Sequence, residues 1–290
     1  MPSSTAPPPS AVVVSASPPS AAVASCVARL SAHFAQPTVS AALSPASASF
    51  LGERSTLLRY ATARNGDYAA ALRNLEETLV WRATHVPAAL SCPACASDAL
   101  SHCFFPLGLD AHRRVVIYAS AAKARINERD VTVQHMCHTL EHAWRATEAL
   151  DLAAQWVWVI DFGGFSFWNA MQGSTSSGAM SAFSAHMPER LGAVLLLNPP
   201  GVFDMLLAVL KPLLDARTMS KVHVVRGDAE AVADKLHAVG IHRGGADGIG
   251  AWMAAVLAMP PVAGAVPSDA GLDQEVLRQI RMLPPPRKVE

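Results

Sequence analysis

The amino-acid sequence predicts an α/β protein in which a small N-terminal helical lobe precedes a larger lobe built on a mostly parallel sheet. Beyond about residue 110, short apolar runs alternate with longer segments of helical periodicity, which is typical of parallel strands joined by helices. Before that point the regular signals are helical. The 290 residues suffice for one large domain or two small ones with a real core.

The first 48 residues are rich in alanine, serine, proline and valine, and Arg29 is their only charged residue. Such low complexity is typical of a disordered tail, and the prolines disfavour a helix over most of it. Residues 21–35 could form a short helix. The shortage of acids and abundance of serine also resemble a transit peptide, although transit peptides usually have several arginines. We therefore expect residues 1–48 to form a disordered tail, with organelle targeting as the alternative.

A helical lobe is predicted for residues 49–90. Ser55 can cap a short helix, and Asn65-Gly66 favours its termination. Asp67 can cap a second helix, whose apolar residues recur at helical spacing to about His85. A less regular connection is expected up to Asp110.

The second lobe is predicted to cover residues 100–245, followed by a C-terminal tail at residues 246–290. Its strands are predicted at residues 114–118, 156–161, 193–198 and 222–226. Its helices are predicted at residues 128–150, 169–185, 202–211 and 229–238.

The segment after the third predicted strand is apolar around nearly its whole circumference. Between Val202 and Leu214 only Asp204, Lys211 and Pro212 interrupt the apolar residues. A helix of a dozen residues reaches only about 18 Å, too short to cross a bilayer. A helix that is apolar all round is buried or faces something apolar other than protein. The segment is therefore either an ordinary core helix or a wall of a lipid cavity.

Composition excludes several classes of function. The 23 basic and 23 acidic residues cancel, so the net charge does not favour nucleic acid as a partner. Hydrophobic residues make up 51% and mean hydropathy is +0.24, but apart from the proline-broken N-terminus no apolar stretch is long enough to span a membrane. The five cysteines are irregularly spaced, and prolines 7 to 9 interrupt any secretory signal, so we expect reduced thiols in an intracellular compartment.

Five short motifs follow one another between residues 51 and 240. They are Leu57-Leu58-Arg59-Tyr60 with Ala63-Arg64 and Asp67, followed by Trp81-Arg82; Asp110 with Arg114 and Val116; Ile160-Asp161-Phe162 with Gly164 and Ser166; Pro188-Glu189-Arg190-Leu191-Gly192 with Asn198 and Pro200; and Lys211-Pro212-Leu213-Leu214-Asp215 with Ser220-Lys221-Val222. In order and spacing these motifs resemble those of the CRAL-TRIO lipid-binding family, the family of phosphatidylinositol transfer proteins. Each motif is short, so the specificity lies in their order.

The resemblance implies a hydrophobic cavity floored by the sheet and closed by a gate helix at residues 202–210. It implies that Arg64, Glu189 and Lys221 hold an inositol phosphate head group; arginine and lysine suit phosphate, and a carboxylate accepts from hydroxyl groups. The alternative role of these three residues is a salt bridge between the lobes. The expected cavity-lining residues are Trp158, Phe203, Leu206, Leu207 and Leu210. The sequence departs from the family at Trp156 and Trp158, where hydroxyl side chains are usual, and at Arg113, where the turn has glycine.

One histidine pattern and one cysteine pattern suggest zinc chemistry. His138 to His142 matches H-x-x-E-H, but helical spacing groups His135, His138, Glu141 and His142 on the polar side of the helix, where a solvated stripe is the ordinary outcome. Cys92 and Cys95 have the C-x-x-C spacing of zinc ligands, with His102 and Cys103 nearby; free cysteines in a loop are the alternative. We expect no metal and no cofactor, and zinc should be dispensable.

Together these observations predict a cytoplasmic, non-enzymatic carrier of one phospholipid, peripheral to membranes. Its expected partners are the phospholipid and, transiently, a membrane surface; nucleic acid is not expected, and the protein should be a monomer. The alternatives are an interaction module that keeps the fold without a cavity, and a zinc hydrolase.

Overall fold

The computed structural model describes most of the chain from residue 18 to residue 227. The described ranges are residues 18–85, 92–98, 101–110, 112–120, 124–126, 128–149, 152–163, 182–201 and 219–227, with single residues 122, 203, 231, 234, 235 and 238. The helices expected at residues 202–211 and 229–238 lie almost wholly outside these ranges, as does the tail expected at residues 246–290. Of the helix expected at residues 169–185, only the end is described, and residues 182–186 are helical.

Five helices form the N-terminal lobe. They are α1 (Ala21–Phe34), α2 (Pro37–Ser40), α3 (Pro45–Gly52), α4 (Thr56–Ala63) and α5 (Tyr68–His85). The prediction of a disordered tail over residues 1–48 is therefore wrong from residue 21 onward, although the short helix considered for residues 21–35 is confirmed. Pro37 and Pro45 sit in the first turn of their helices, where proline has no hydrogen bond to lose.

The first helices belong to the core because their apolar residues face inward. Val23, Cys26 and Leu30 recur along one side of α1, and all three are buried. Gly66, at the end of α4, has φ +83°, and a Cβ there would lie 2.7 Å from the carbonyl carbon of Ala22 in α1. Only glycine allows the helices to approach this closely.

Within the described residues, five strands form the sheet of the second lobe, in the order β1-β2-β3-β4-β5. The strands are β1 (Phe104–Leu109), β2 (Val115–Ala119), β3 (Trp156–Asp161), β4 (Leu191–Leu197) and β5 (Val222–Val225). β1 pairs antiparallel with β2, and the remaining pairs are parallel. The predicted α/β class is confirmed, and each of the four predicted strands lies within two residues of an observed one.

The sequence missed two elements in the expected connection, helix α6 (Pro93–Ser97) and strand β1. β1 contains Pro106 and Gly108, which are uncommon within strands. Proline is tolerated because β1 is an edge strand, and the register shifts between these two residues. The strand signal was weak because its stability comes from pairing with β2.

Helix α7 (Arg129–Ala149) follows β2 and packs against the face of the sheet that carries Ile117 and Trp158. We call this the helix-side face. Leu140, Ala143 and Trp144 of α7 share one core with this face and with the helical lobe. The opposite face is also apolar and buried, with Val157, Val159, Leu195 and Leu197 at 0% exposure.

The prediction that α7 has a solvated polar side is wrong. His135 and Glu141 are only 3% and 5% exposed. In the parts of the chain that the structure describes, no helix combines the length and hydrophobicity needed to cross a membrane.

Candidate functional site

The helical lobe holds the segment that leads into β4. The Asn74 side-chain amide donates to the Ala185 carbonyl (2.8 Å), and the Tyr60 hydroxyl donates to the His186 carbonyl (2.8 Å). The Arg59 guanidinium donates to the Pro188 carbonyl (2.9 Å). Three side chains of α4 and α5 thus satisfy backbone carbonyls immediately before Glu189, so this turn is anchored to the helical lobe.

Arg64 lies at the C-terminal cap of α4 and joins this anchoring system. Its guanidinium donates to the Asn74 side-chain oxygen (3.0 Å), while the nitrogen of the same amide binds Ala185. Arg64 is therefore linked through a single side chain to the segment that contains Glu189.

Glu189 and Lys221 lie at the same end of the sheet, just before the amino ends of the parallel strands β4 and β5. The Val194 amide donates to the Lys221 carbonyl (2.8 Å), which extends the pairing of the two strands to this residue. Glu189 has φ +60°, a left-handed conformation that is uncommon for a residue with a Cβ. The fold therefore places two of the three expected head-group residues at the amino ends of neighbouring strands. It connects the third, Arg64, through Asn74 to the segment before Glu189.

Trp158 lies inside the core of the helix-side face. It is 4% exposed, and its ring lies 4.6 Å from that of Phe183 and 5.6 Å from that of Phe104. The neighbouring apolar cleft, lined by Leu140, Phe183 and Met187, has a volume of about 10 Å³, roughly that of one water molecule. The amino half of this face is thus filled by side chains.

The carboxyl end of the same face is less closed. Ile160, Phe162, Phe203 and Val224 are only partly buried where they pack against the core. The Phe162 and Phe203 rings are 5.0 Å apart, so the first described residue of the expected gate segment packs at this end of the sheet. The expected gate residues Leu206, Leu207 and Leu210 lie outside the described residues.

A group of buried charges lies between the lobes, and sequence reasoning did not identify it. Arg82 of α5 donates two hydrogen bonds to Glu141 of α7 (2.8 and 3.0 Å). Arg190 is 0% exposed, and its guanidinium lies 3.7 Å from the centre of the Trp144 ring. Burial and the nearby Arg59 lower the pKa of Arg190 well below its ordinary value. Arg59, Arg82 and Arg190 all belong to the sequence motifs, and this is the sequence feature that could have identified the buried charges.

The pairing of Glu141 bears on the H-x-x-E-H pattern. The glutamate of that pattern would need to act as a general base, but here both carboxylate oxygens accept from Arg82. His138 and His142 pack edge to face with ring centres 4.6 Å apart. The arrangement gives Glu141 a structural role between α5 and α7.

Four potential metal ligands meet elsewhere, beside β1. Cys92, Cys95, His102 and His135 each offer one ligand atom, and these atoms all lie within 4.8 Å of one another. Burial, and secondarily His102, lower the pKa of His135 to about 3, so its imidazole stays neutral. Burial raises the pKa of the Cys95 thiol to about 12. The sequence indicated three of these residues but assigned His135 to a solvated surface.

Comparison with known proteins identifies the second lobe. The CRAL/TRIO domain profile matches residues 100–238. The crystal structure of Sfh5 is similar with a TM-score of 0.58 and 17% sequence identity, over 73% of this chain and 83% of that one; at this identity the similarity concerns the fold. No curated protein sequence matches the chain. The chain thus matches the CRAL/TRIO domain family over residues 100–238, slightly less than half of its length.

Proposed function

We propose that the protein binds one phospholipid in its CRAL/TRIO domain and exchanges it at membrane surfaces without covalent chemistry. The family is one of lipid-binding and lipid-transfer proteins. The candidate lipid is phosphatidylinositol. The protein would act as a cytoplasmic monomer that contacts membranes transiently.

The observation that carries the proposal is the partly buried apolar group at the carboxyl end of the helix-side face. Ile160, Phe162, Phe203 and Val224 present hydrocarbon there, whereas Trp156 and Trp158 close the amino half. An acyl chain placed against this group would gain about 0.8 kcal/mol for each methylene removed from water. The apolar residues Leu206, Leu207 and Leu210 follow Phe203 in the sequence and supply further hydrocarbon for the gate.

Polar recognition is assigned to Arg64, Glu189 and Lys221. The two cations would pair with phosphate, and the carboxylate would accept from inositol hydroxyls. Glu189 and Lys221 lie just before β4 and β5, and Arg64 is linked through Asn74 to the segment before Glu189, which supports this role. The competing role is an ion pair that stabilises the contact between the lobes.

Lipid capture tests the proposal directly. Recombinant protein should co-purify with a phospholipid detectable by mass spectrometry, and it should move labelled phospholipid between vesicles. Folded protein with neither bound lipid nor transfer activity would contradict the proposal. That result would favour a non-transferring interaction module, which the two buried tryptophans on the sheet also suggest.

The head-group assignment has its own test. Lys221→Ala should weaken phosphatidylinositol transfer about ten- to a hundredfold, since a buried charge-assisted contact is worth roughly 1.5–3 kcal/mol. Transfer of phosphatidylcholine should change much less. Lys235→Ala is the control, because Lys235 lies outside the family motifs. Equal loss for both lipids, together with a lowered melting temperature, would move Lys221 from the ligand site to the scaffold.

A further inference from the structure

We propose that Cys92, Cys95, His102 and His135 bind a structural zinc ion beside the edge strand β1. This proposal replaces the expectation from the sequence that the protein holds no metal. The site is independent of the lipid function: it uses none of the residues assigned to lipid.

Three of the six separations among the donor atoms match a tetrahedral zinc site, and all six lie within 4.8 Å. Zinc–sulfur bonds of about 2.3 Å and zinc–nitrogen bonds of about 2.0–2.1 Å imply sulfur–nitrogen separations of about 3.6 Å. The His102 Nδ1 lies 3.7 Å from the Cys92 sulfur and 3.4 Å from the Cys95 sulfur. The His135 Nδ1 lies 3.5 Å from the Cys95 sulfur. Three independent separations thus agree with one metal-centred tetrahedron.

The hydrogen bond of His135 selects the correct ring nitrogen. Its Nε2 lies 2.8 Å from the Phe104 carbonyl, which can only accept, so Nε2 carries the proton. The unprotonated Nδ1 then faces the Cys95 sulfur. Metal-bound histidines commonly donate their other N–H to a carbonyl or carboxylate in this way. The Thr139 hydroxyl also donates to the Phe104 carbonyl (3.3 Å). This second hydrogen bond helps to hold the carbonyl in position beside the His135 ring.

His102 is positioned by its contacts with the sulfurs. Its ring is 2% exposed and stacks on that of His135, with ring centres 4.3 Å apart. Within the described part of the chain its Nε2 has no hydrogen-bond partner. The polar contacts of the ring are therefore made by Nδ1, which points between Cys92 and Cys95.

The local backbone folds the ligands toward one another. Pro93 occupies the first turn of α6, so Cys92 precedes this short helix and Cys95 lies on it. The Ser101 hydroxyl donates to the Ala94 carbonyl (2.9 Å), which brings His102 back to the cysteine pair. α7 supplies His135 as the fourth ligand from a distant part of the chain.

The donor set identifies the metal and its role. Two thiolates and two imidazoles in a tetrahedron suit zinc. Four protein ligands leave no coordination position for water or substrate, so the ion would be structural. It would tie the connection between the lobes, which contains α6, to α7 and to the start of β1.

Metal analysis of the full-length protein tests the proposal. Protein expressed with zinc in the medium and purified without chelators should contain one zinc per chain. After the zinc is removed, cobalt(II) should bind in its place and give tetrahedral d–d absorption with sulfur-to-cobalt charge transfer. Removing zinc should lower the melting temperature, and adding it back should restore the original value.

Matched variants locate the ligands. Cys92→Ser with Cys95→Ser, and separately His135→Gln, should each reduce bound zinc several-fold. Cys103→Ser, next to His102 in sequence, should keep it, as should His138→Gln and His142→Gln in the H-x-x-E-H pattern. Zinc retained without Cys92 and Cys95, or lost with His138 or His142, would overturn the assignment.

The unmodified protein keeps the proposal testable if the ligand variants do not fold. Zinc far below one per chain with no uptake of cobalt(II) would overturn it. So would a Cys92–Cys95 disulfide found by alkylation and mass spectrometry of the protein as purified.

Discussion

At the scale of single residues, two residues with side chains adopt the left-handed backbone conformation in or beside the sequence motifs. Arg113 and Glu189 both have φ +60°, a region where a side chain crowds the following carbonyl. Arg113 occupies the turn where the family resemblance implies glycine. The Asp110 carboxylate accepts from the His112 and Arg114 amides (2.9 and 2.8 Å), so the turn keeps its shape despite the arginine.

We predict that Arg113→Gly stabilises the protein by up to about 1 kcal/mol, because glycine adopts a positive φ without steric strain. Urea unfolding of both proteins measures the difference. Arg113→Ala is the control: it removes the same side chain but retains a Cβ, so it should bring no gain. Destabilisation by glycine would mean that the arginine side chain contributes more than its backbone strain costs.

At the scale of elements, α7 shows how a helix can bury charged and polar side chains. Its core residues include Leu140 and Trp144, and its polar residues His135 and Glu141 are buried as well. Their burial is tolerated because each has a hydrogen-bond partner: the His135 ring bonds to the Phe104 carbonyl, and the Glu141 carboxylate accepts from the Arg82 guanidinium. Periodicity alone suggested a polar side exposed to water; the surrounding elements instead place that side within the protein.

The Arg82–Glu141 pair should contribute strongly to the packing of α5 on α7. Removing one member of a buried pair costs about 3–5 kcal/mol, because the remaining charge is left without its partner. We expect Glu141→Leu to approach that loss, and the double variant Arg82→Met with Glu141→Leu to lose less than the sum of the single changes. A double-mutant cycle in urea measures the coupling.

The matched control for this pair is Arg125→Met. Arg125 pairs with Asp98 at a similar distance, 2.8 Å, but their side chains are 59% and 41% exposed. Its loss should change stability by no more than about 1 kcal/mol. Equal effects at the two pairs would show that burial does not determine the strength of the interlobe contact.

At the scale of the whole molecule, the N-terminal helices are part of the folded unit. Leu30 of α1 is 0% exposed and shares the core with Tyr60, Leu75 and the sheet residue Ile117. We predict that Leu30→Ala lowers the free energy of unfolding by about 2–5 kcal/mol. Val80→Ala, at a position that is 72% exposed, should have little effect. An unchanged free energy of unfolding in Leu30→Ala would mean that α1 does not pack stably against the rest of the protein.

Local sequence rules predicted much of the architecture. The second predicted helix extends over residues 68–85 as expected, and Asp67 accepts from the Ala70 amide (3.1 Å) at its start. β3 begins and ends at the predicted residues. These features depend on side chains a few positions apart, which the sequence displays directly.

The candidate sites were predicted in part. The family motifs identified Arg64, Glu189 and Lys221, and the role of these residues in lipid recognition stays a prediction. The motifs also contained Arg59 and Arg190, but their burial depends on contacts with α7 and with the segment before β4. Cys92 and Cys95 carried a recognisable spacing, yet the fourth potential ligand lies 40 positions beyond Cys95.

The sequence by itself determined the α/β class, the positions of β2 to β5 and the Asp67 cap of α5, because periodicity and capping act over one or two turns. The expected Ser55 cap of α4 is wrong, since the Ser55 side chain makes no capping hydrogen bond. Tertiary structure alone decided that residues 21–52 pack into the core, that His135 and Glu141 of α7 are buried, and that His135 meets Cys92, Cys95 and His102. These outcomes depend on which surfaces come together in three dimensions. A side chain that would face water on an isolated helix becomes a core residue or a metal ligand when another element covers it.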